Sequence, residues 1–272
     1  MNEKKFYVLH KNALNISLSF DCGQAFRWEK REDGTIHGVA FGRALTVSEN
    51  DTEAVFYDTD EKEFNEIWRP YLDLDRDYAA LYKKFAADKY LKKAVEAYPG
   101  IRILRQEPWE TLCSFIISQN NNIPRIKGII NRLCENLGDD LGNGDFTFPS
   151  PGKVLEAGAE GLAPLRAGFR VKYILDAAQS VVSGRVDFDK ILASDLETGA
   201  EELKKIKGVG DKVAACTLLY GFGKVDALPI DTWVRKILEE TYPGGMPECT
   251  KGVRGIAQQY LFHYRRNTDA EK

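Results

Sequence analysis

Between Leu203 and Asp231 the chain reads LKKIKGVGDKVAACTLLYGFGKVDALPID. A helical pattern stops at Gly208-Val209-Gly210, and a second begins at once with Asp211 and Lys212. Asp231 follows 19 residues after that lysine, behind Pro229, at the start of a third helical pattern. Gly208 stands where a helix ends on a left-handed residue, and Gly210 allows a second unusual backbone angle. Asp211 is a suitable N-cap for the next helix. Free N–H groups at such a turn can grip a phosphate without reading a base. Lys212 sits against the usual preference, because the positive end of a helix dipole disfavours a cation. The same field favours the neutral amine that a Schiff-base nucleophile requires. Asp231 could cap its helix, or offset positive charge on a sugar whose bond is breaking. A phosphate grip, an amine and a carboxylate are the parts needed to cut a base from a DNA sugar.

The elements that must position these groups fall into two parts, an α+β arrangement. KFYVLH, ALNISLSF, TIHGVAFG, ALTVSE and TEAVFYD are short, partly alternating runs that predict an antiparallel sheet with one buried face. From Glu61 the periodicity becomes helical: EFNEIWRPYL is a short helix broken near Pro70, followed by DYAALYKKFA and KYLKKAVEAY. Pro99-Gly100 marks a division into a β-rich domain, 1–100, and a helical domain, 101–272, with a helix–hairpin–helix at 200–222. In the second part Pro108 opens one helix and Gly138 closes another. A loop runs from there to Pro151. Further helices fit Val154–Ala163, Arg170–Ser183, Ala200–Ile206, Lys212–Phe222, Thr232–Thr241 and Thr250–Arg266, and the tail NTDAEK is expected to fray.

Composition narrows the class. The chain has 272 residues, 43% of them hydrophobic, enough for a substantial core. No apolar run could span a bilayer, and MNEKKFYVLH has no signal core, so a cytoplasmic protein is expected; a prokaryotic setting, with action at the nucleoid, is a further expectation that no residue pattern carries. Cys22, Cys113, Cys134, Cys216 and Cys249 are scattered, and with three histidines they offer no zinc or iron–sulfur ligand pattern. Net charge is −3, with eight acids against one lysine between Glu49 and Glu66. Basic residues gather around Arg125–Arg132, Arg166–Lys172, Lys204–Lys212 and Arg254–Arg266. These are either solvated helix faces or a surface for phosphates.

GVGDKVAAC followed by ALPIDTW resembles the helix–hairpin–helix Gly-Pro-Asp DNA glycosylase superfamily, and the lysine points to members with combined glycosylase and lyase action. The C-x6-C-x2-C-x5-C set of the iron–sulfur branch is absent. CGQAFRW (22–28), LRQEPWETLCSFIISQNNNIPRI (104–126) and AQQYLFHYR (257–265) are similar to one family, the 8-oxoguanine DNA glycosylases, so the resemblance covers nearly the whole chain.

The resemblance implies a monomer that swings the lesion out of duplex DNA, with cytosine opposite. It makes Lys212 the nucleophile and Asp231 its carboxylate partner. The Gly23 carbonyl would accept a hydrogen bond from the lesion's imidazole-ring N–H, where normal guanine presents an acceptor. Cys216 and Phe262 would sandwich the base, and Gln258 would bond its pairing edge. Cys216 lies one turn after Lys212, and Phe262 one turn after Gln258, so each pair shares a helix face. Asn120 would fill the gap in the duplex, and Arg125 and Arg170 would read the orphaned cytosine. Phe169 takes the wedge position, where tyrosine is common, and Trp233 stands where some members have histidine. Gly208, Val209 and Gly210 would hold the backbone. No organic cofactor is implied; a metal ion at the hairpin backbone is compatible with the turn, although no side-chain ligand set marks one. The rival readings are a glycosylase for alkylated bases, which needs no lysine, and a non-catalytic helix–hairpin–helix DNA-binding module.

Overall fold

The computed structural model describes residues 6–270. Lys5 of the expected first strand and Glu271 and Lys272 of the tail lie outside them. Strands β1 (Phe6–His10), β2 (Trp28–Lys30), β3 (Ile36–Ala40), β4 (Arg43–Glu49) and β5 (Glu53–Tyr57) form one antiparallel sheet in the order β1-β5-β4-β3-β2. Ile36 pairs with Val47, and Val47 with Phe56, so the strand alternation puts these apolar residues on one face. Phe64, Trp68, Tyr71 and Leu72 bury that face. Phe20 stacks on Trp28 at 3.9 Å, and Trp28 Nε1 donates to Tyr71 Oη at 2.7 Å.

Two local expectations need correction in this part. ALNISLSF is not a strand: its second half is the helix Ile16–Asp21, because the Asn15 side chain accepts from Leu18 N at 2.8 Å and caps it. The region around Pro70 is continuous, with a π-helical turn Phe64–Trp68 feeding Arg69–Tyr71. The wider turn accommodates the proline, which has no N–H to donate.

The remaining chain is helical apart from a small hairpin, Asp140–Gly142 with Asp145–Phe146, inside the expected loop. A short helix Phe188–Ala193 was also not expected from periodicity. The helix Arg254–Ala270 carries Asn267 and Thr268 of the expected frayed tail, whose side chains bond back to His263 O and Tyr264 O.

Two apolar clusters are shared across Pro99-Gly100. The sheet cluster includes Leu104, while the helical cluster includes Cys22, Phe26 and the helices Tyr78–Phe85 and Lys89–Ala97. Buried Gln24 ties them together. Its Nε2 donates to Arg102 O at 2.7 Å, its Oε1 accepts from Leu104 N at 2.9 Å, and its own carbonyl accepts from Gln106 Nε2 at 2.7 Å. Gly100 takes φ +88° and approaches Asn15 so closely that a Cβ would stand 2.6 Å from its nitrogen. Only glycine fits that contact.

Arg27 and Glu110 make a second tie, 3.3 Å apart and largely buried. Burial pushes the Glu110 carboxyl from its ordinary 4.5 up to about 7, against the pull of Arg27. The folded state therefore binds a proton that the unfolded chain releases near 4.5. The stability this contributes is complete below that pH and is lost as pH rises towards 7. Glu110→Gln is expected to flatten the urea-unfolding midpoint between about pH 5 and pH 8 and to gain on the order of 2 kcal/mol at the upper end. A loss at every pH would mean that attraction to Arg27 outweighs the cost of burial.

Candidate active site

A cavity of about 660 Å³ opens between the Gly23 turn, the loop Gln119–Asn122, Lys212, the start of the helix Thr232–Glu240 and the face of the last helix that carries Phe262. Its lining holds Lys212, Arg235 and Arg266 against a single acid, Asp231. A chain that is acidic overall thus presents a cationic hollow suited to a polyanion. A larger cleft of about 740 Å³, beside His37 and Asp145, mixes both signs of charge and contains none of the expected site residues.

Lys212 enters the cavity from the helix Asp211–Cys216. Its Nζ donates to Ser118 Oγ at 3.2 Å and lies 4.9 Å from the centroid of the Phe115 ring. That ring is held by a stacked Tyr220 at 5.4 Å and an edge-on Phe26 at 5.8 Å. The amine is therefore aimed by rigid aromatic packing with one hydroxyl partner. Cys216, one turn on, is buried and does not line the cavity. Burial pushes its thiol up to about 11 despite the lowering pull of Lys212, so it stays a neutral surface beside the amine. Asp231 Oδ1 caps the next helix, accepting from Trp233 N at 3.0 Å and Val234 N at 2.8 Å. Its second oxygen takes no part in the cap. Capping and charge compensation are thus compatible in one residue.

Gly23 has φ +84°. Its neighbours are fixed on both sides: Cys22 O accepts from Gln259 Nε2 at 2.9 Å, and Gln24 is held as described above. Among the described residues no donor meets the Gly23 carbonyl. A side chain built at Gly23 would meet the Phe262 ring at 3.5 Å, so the turn and the ring form one wall. Gln258 is buried, and its Oε1 has no hydrogen-bond partner. An orphaned amide oxygen in a core is costly unless a ligand satisfies it.

The loop residues divide. Asn120 is exposed, in a left-handed conformation with φ +46° that asparagine tolerates. Arg125 is exposed, at the start of the helix Ile123–Leu137. Arg170 is buried at 2% exposure, in contrast to the open base-reading arginine expected. Its guanidinium donates to Gln119 O, to Asn120 O at 2.9 Å and to Ala167 O at 3.2 Å. Arg170 thus holds the loop that presents Asn120. Phe169 remains 46% exposed, with the Arg170 guanidinium 4.4 Å from its ring centroid.

In the hairpin, Gly208 takes φ +84°, and a Cβ there would stand 2.5 Å from the Tyr173 ring. Val209 is buried. Gly210 differs from expectation: φ −100°, ψ −174° is ordinary extended backbone, and it, not Asp211, is the N-cap. Asp211 is the first helical residue, bonded by Lys204 Nζ at 3.0 Å. The helix start has no side-chain cap, so its N–H groups remain available to a phosphate. Among the described residues no group of three or more His, Cys, Asp or Glu could hold a metal ion. Ser118 and Phe115 carry no individual role in the sequence, and Arg266 figures there only as the end of a basic cluster. Ser118 and Phe115 lie inside the segment 104–126, one turn apart on one face, but a serine and a core phenylalanine carry no chemical signal there.

Residues 7–112 match the family model of the 8-oxoguanine DNA glycosylase N-terminal domain, and residues 113–250 that of the HhH-GPD superfamily base excision DNA repair protein. The chain is 37% identical to the N-glycosylase/DNA lyase of Saccharomyces cerevisiae, across 86% of this chain and 70% of that protein. It is 30% identical to a probable N-glycosylase/DNA lyase of Methanothermobacter thermautotrophicus, across 78% of each. The Clostridium acetobutylicum 8-oxoguanine glycosylase/lyase, solved with double-stranded DNA containing cytosine opposite 8-oxoguanine, superposes with a TM-score of 0.90 at 36% identity, over 99% of this chain and 98% of that one. The sheet domain, the hairpin and these matches along the chain place it in the 8-oxoguanine DNA glycosylase family of the helix–hairpin–helix Gly-Pro-Asp superfamily.

Proposed function

We propose that this protein extrudes 8-oxoguanine from duplex DNA into the cavity beside Lys212, cleaves its N-glycosidic bond and then cuts the strand. The observation that carries the reading is that the Lys212 amine and the Gly23 turn open onto one hollow. The Lys212 nitrogen attacks the anomeric carbon with its lone pair as the bond to the base breaks, and the base leaves with the electron pair. The adduct nitrogen gives up a proton, the sugar-ring oxygen takes one as its bond to the anomeric carbon breaks, and the ring-opened Schiff base results. Loss of a proton from the adjacent sugar carbon then expels the 3′ phosphate by β-elimination. Asp231 offsets the positive charge that builds on the sugar. Ser118 and the Phe115 ring aim the amine.

Substrate choice rests on polar matching. The Gly23 carbonyl accepts the extra ring N–H of the oxidised base and repels the bare nitrogen of guanine, and the unmatched contact costs about 1–3 kcal/mol. Phe262 covers one face of the base; Gln258 and Cys216 lie just behind the cavity lining, and meet the pairing edge and the second face only if the lining gives way as the base enters. Outside the cavity, Asn120 fills the vacated stack, Phe169 wedges the step, and Arg125 reads the opposite cytosine. Arg170 supports them, and turns to the cytosine only if it releases the Gln119 and Asn120 carbonyls. Gly208, Val209 and Gly210 hold the backbone. The setting we infer is a monomer in the cytoplasm, since one chain carries every group named and its five thiols are free. No helix among the described residues is long and apolar enough to cross a membrane. No step above needs an organic cofactor. Neither an alkylated-base glycosylase nor a non-catalytic module calls for an amine aimed into the cavity.

Lys212→Gln is expected to abolish borohydride trapping on duplex carrying 8-oxoguanine opposite cytosine, while duplex affinity stays within a few-fold. Trapping that survives the substitution would remove Lys212 from the role. Gly23→Ala strains a left-handed position by about 1–2 kcal/mol and shifts the carbonyl without crowding Phe262. Single-turnover rates should show discrimination against guanine, or binding preference for the lesion, falling roughly tenfold. Equal losses on lesion and undamaged duplex would refute this use of the carbonyl.

A further inference from the structure

Arg266 is unaccounted for by the roles above. The last helix places it one turn beyond Phe262, on the same face, and both line the cavity. A Cβ built at Gly23 would stand 3.9 Å from Arg266 Nη1, so the guanidinium flanks the turn assigned above to the imidazole edge of the base, its five-membered ring. The adjacent Arg265 is occupied by Glu240 at 2.6 Å. Arg266 itself makes no hydrogen bond or ion pair among the described residues, although it is half-buried. A guanidinium brings five donors, and a partly enclosed one gains from a ligand that supplies acceptors. Nearby His263 adds no second cation: burial, then the charge of Arg266, lower it to about 4 against the opposing pull of Asp21.

The five-membered ring of 8-oxoguanine offers one donor, the ring N–H, beside a carbonyl oxygen that guanine lacks. We propose that Arg266 donates to that oxygen, O8, while the Gly23 carbonyl takes the N–H, and that it stabilises the base as it leaves. The inference rests on the cavity being the lesion pocket. When the bond from the anomeric carbon to N9 breaks, its electron pair stays on N9, and the charge delocalises through C8 onto O8. A proton from solvent later neutralises the free base. A cation at O8 is thus worth more in the transition state than in the bound substrate, which is the condition for accelerating the step. Arg266 acts on base release only; the strand cut at an abasic sugar has no purine to stabilise.

That separation gives the test. Base release under single-turnover conditions, with enzyme saturating, is compared for the native chain, Arg266→Gln and Arg266→Lys on duplex with 8-oxoguanine opposite cytosine. Strand cleavage and borohydride trapping are measured in parallel on duplex with a preformed abasic site. Arg266→Gln should slow base release by about tenfold or more, and Arg266→Lys by less, while abasic-site cleavage and trapping stay within about twofold. Preserved abasic cleavage also shows that the variants fold. Unchanged base release overturns the proposal, and so does a parallel loss on both substrates, which would make Arg266 a phosphate contact. If the native chain cleaves abasic duplex but releases no 8-oxoguanine, the reading of the cavity falls and this proposal with it. If it fails to trap on the abasic site yet still releases base, only the Lys212 assignment is lost.

Discussion

The fully buried Gln24 side chain is the constraint on which the site depends. Its amide is met by Ser19 O at 2.8 Å, Arg102 O at 2.7 Å and Leu104 N at 2.9 Å. On the other side of Gly23, Cys22 O is held by Gln259, whose own Oε1 accepts from Tyr220 Oη at 2.6 Å. A turn from the first part of the chain is thereby fastened to the last helix as firmly as a core element. The sorting of two bases by one proton, proposed above for the Gly23 carbonyl, needs this. The penalty of about 1–3 kcal/mol for facing two acceptors exists only if the carbonyl cannot swing away. Removing the Gln24 amide would leave buried backbone groups unpaired and would also loosen the reader.

The same junction orients the nucleophile. Phe26 follows Gln24 by two residues and packs edge-on against Phe115, the ring beneath Lys212 Nζ. Tyr220 stacks on that ring and also bonds Gln259. The Gly23 turn and the Lys212 amine therefore share their supports, and the distance between them is set by core packing rather than by loops. Burial raises the Cys216 thiol to about 11 and the Tyr220 phenol well above its ordinary value, so neither competes with Asp231 as an anion near the amine.

Much of this was legible from residues alone. Lys212 just inside a helix start stands out because its position defies structural preference, whereas Asp231 after Pro229 is readable both as the cap it forms and as a carboxylate of the same cavity. Pro108 at a helix start and Gly138 at a helix end were readable for a local reason of the same kind. The failures have physical causes. Leu14, Ile16, Leu18 and Phe20 alternate as a strand would, and only the Asn15 cap and burial against the sheet make a helix of them. The π turns at Phe64–Trp68 and Thr217–Gly221 leave no periodic trace over so few residues. Arg266 and Arg170 look alike in sequence, each an arginine on or beside an amphipathic helix. Their difference lies in partners: three carbonyls for Arg170 and none among the described residues for Arg266.

Arg170 also shows how gripping the backbone is joined to opening the stack. Its bonds to Gln119 and Asn120 fix the loop that carries Asn120, and its guanidinium covers the Phe169 ring. Phe169 packs edge-on against Tyr173 at 5.8 Å, and Tyr173 lies against Gly208 of the hairpin. Asp176, one turn beyond Tyr173, accepts from Lys207 N at 2.8 Å. Phe169, the Asn120 loop and the hairpin turn are thus one contiguous packed body. On the function proposed, a duplex seated on the hairpin N–H groups would meet Phe169 and Asn120 at a set offset. The unstacking cost of a few kcal/mol is then offset by contacts already aligned. Because Gly208 is compelled both by its left-handed backbone and by the Tyr173 ring, that offset is encoded at a single position where no other residue fits.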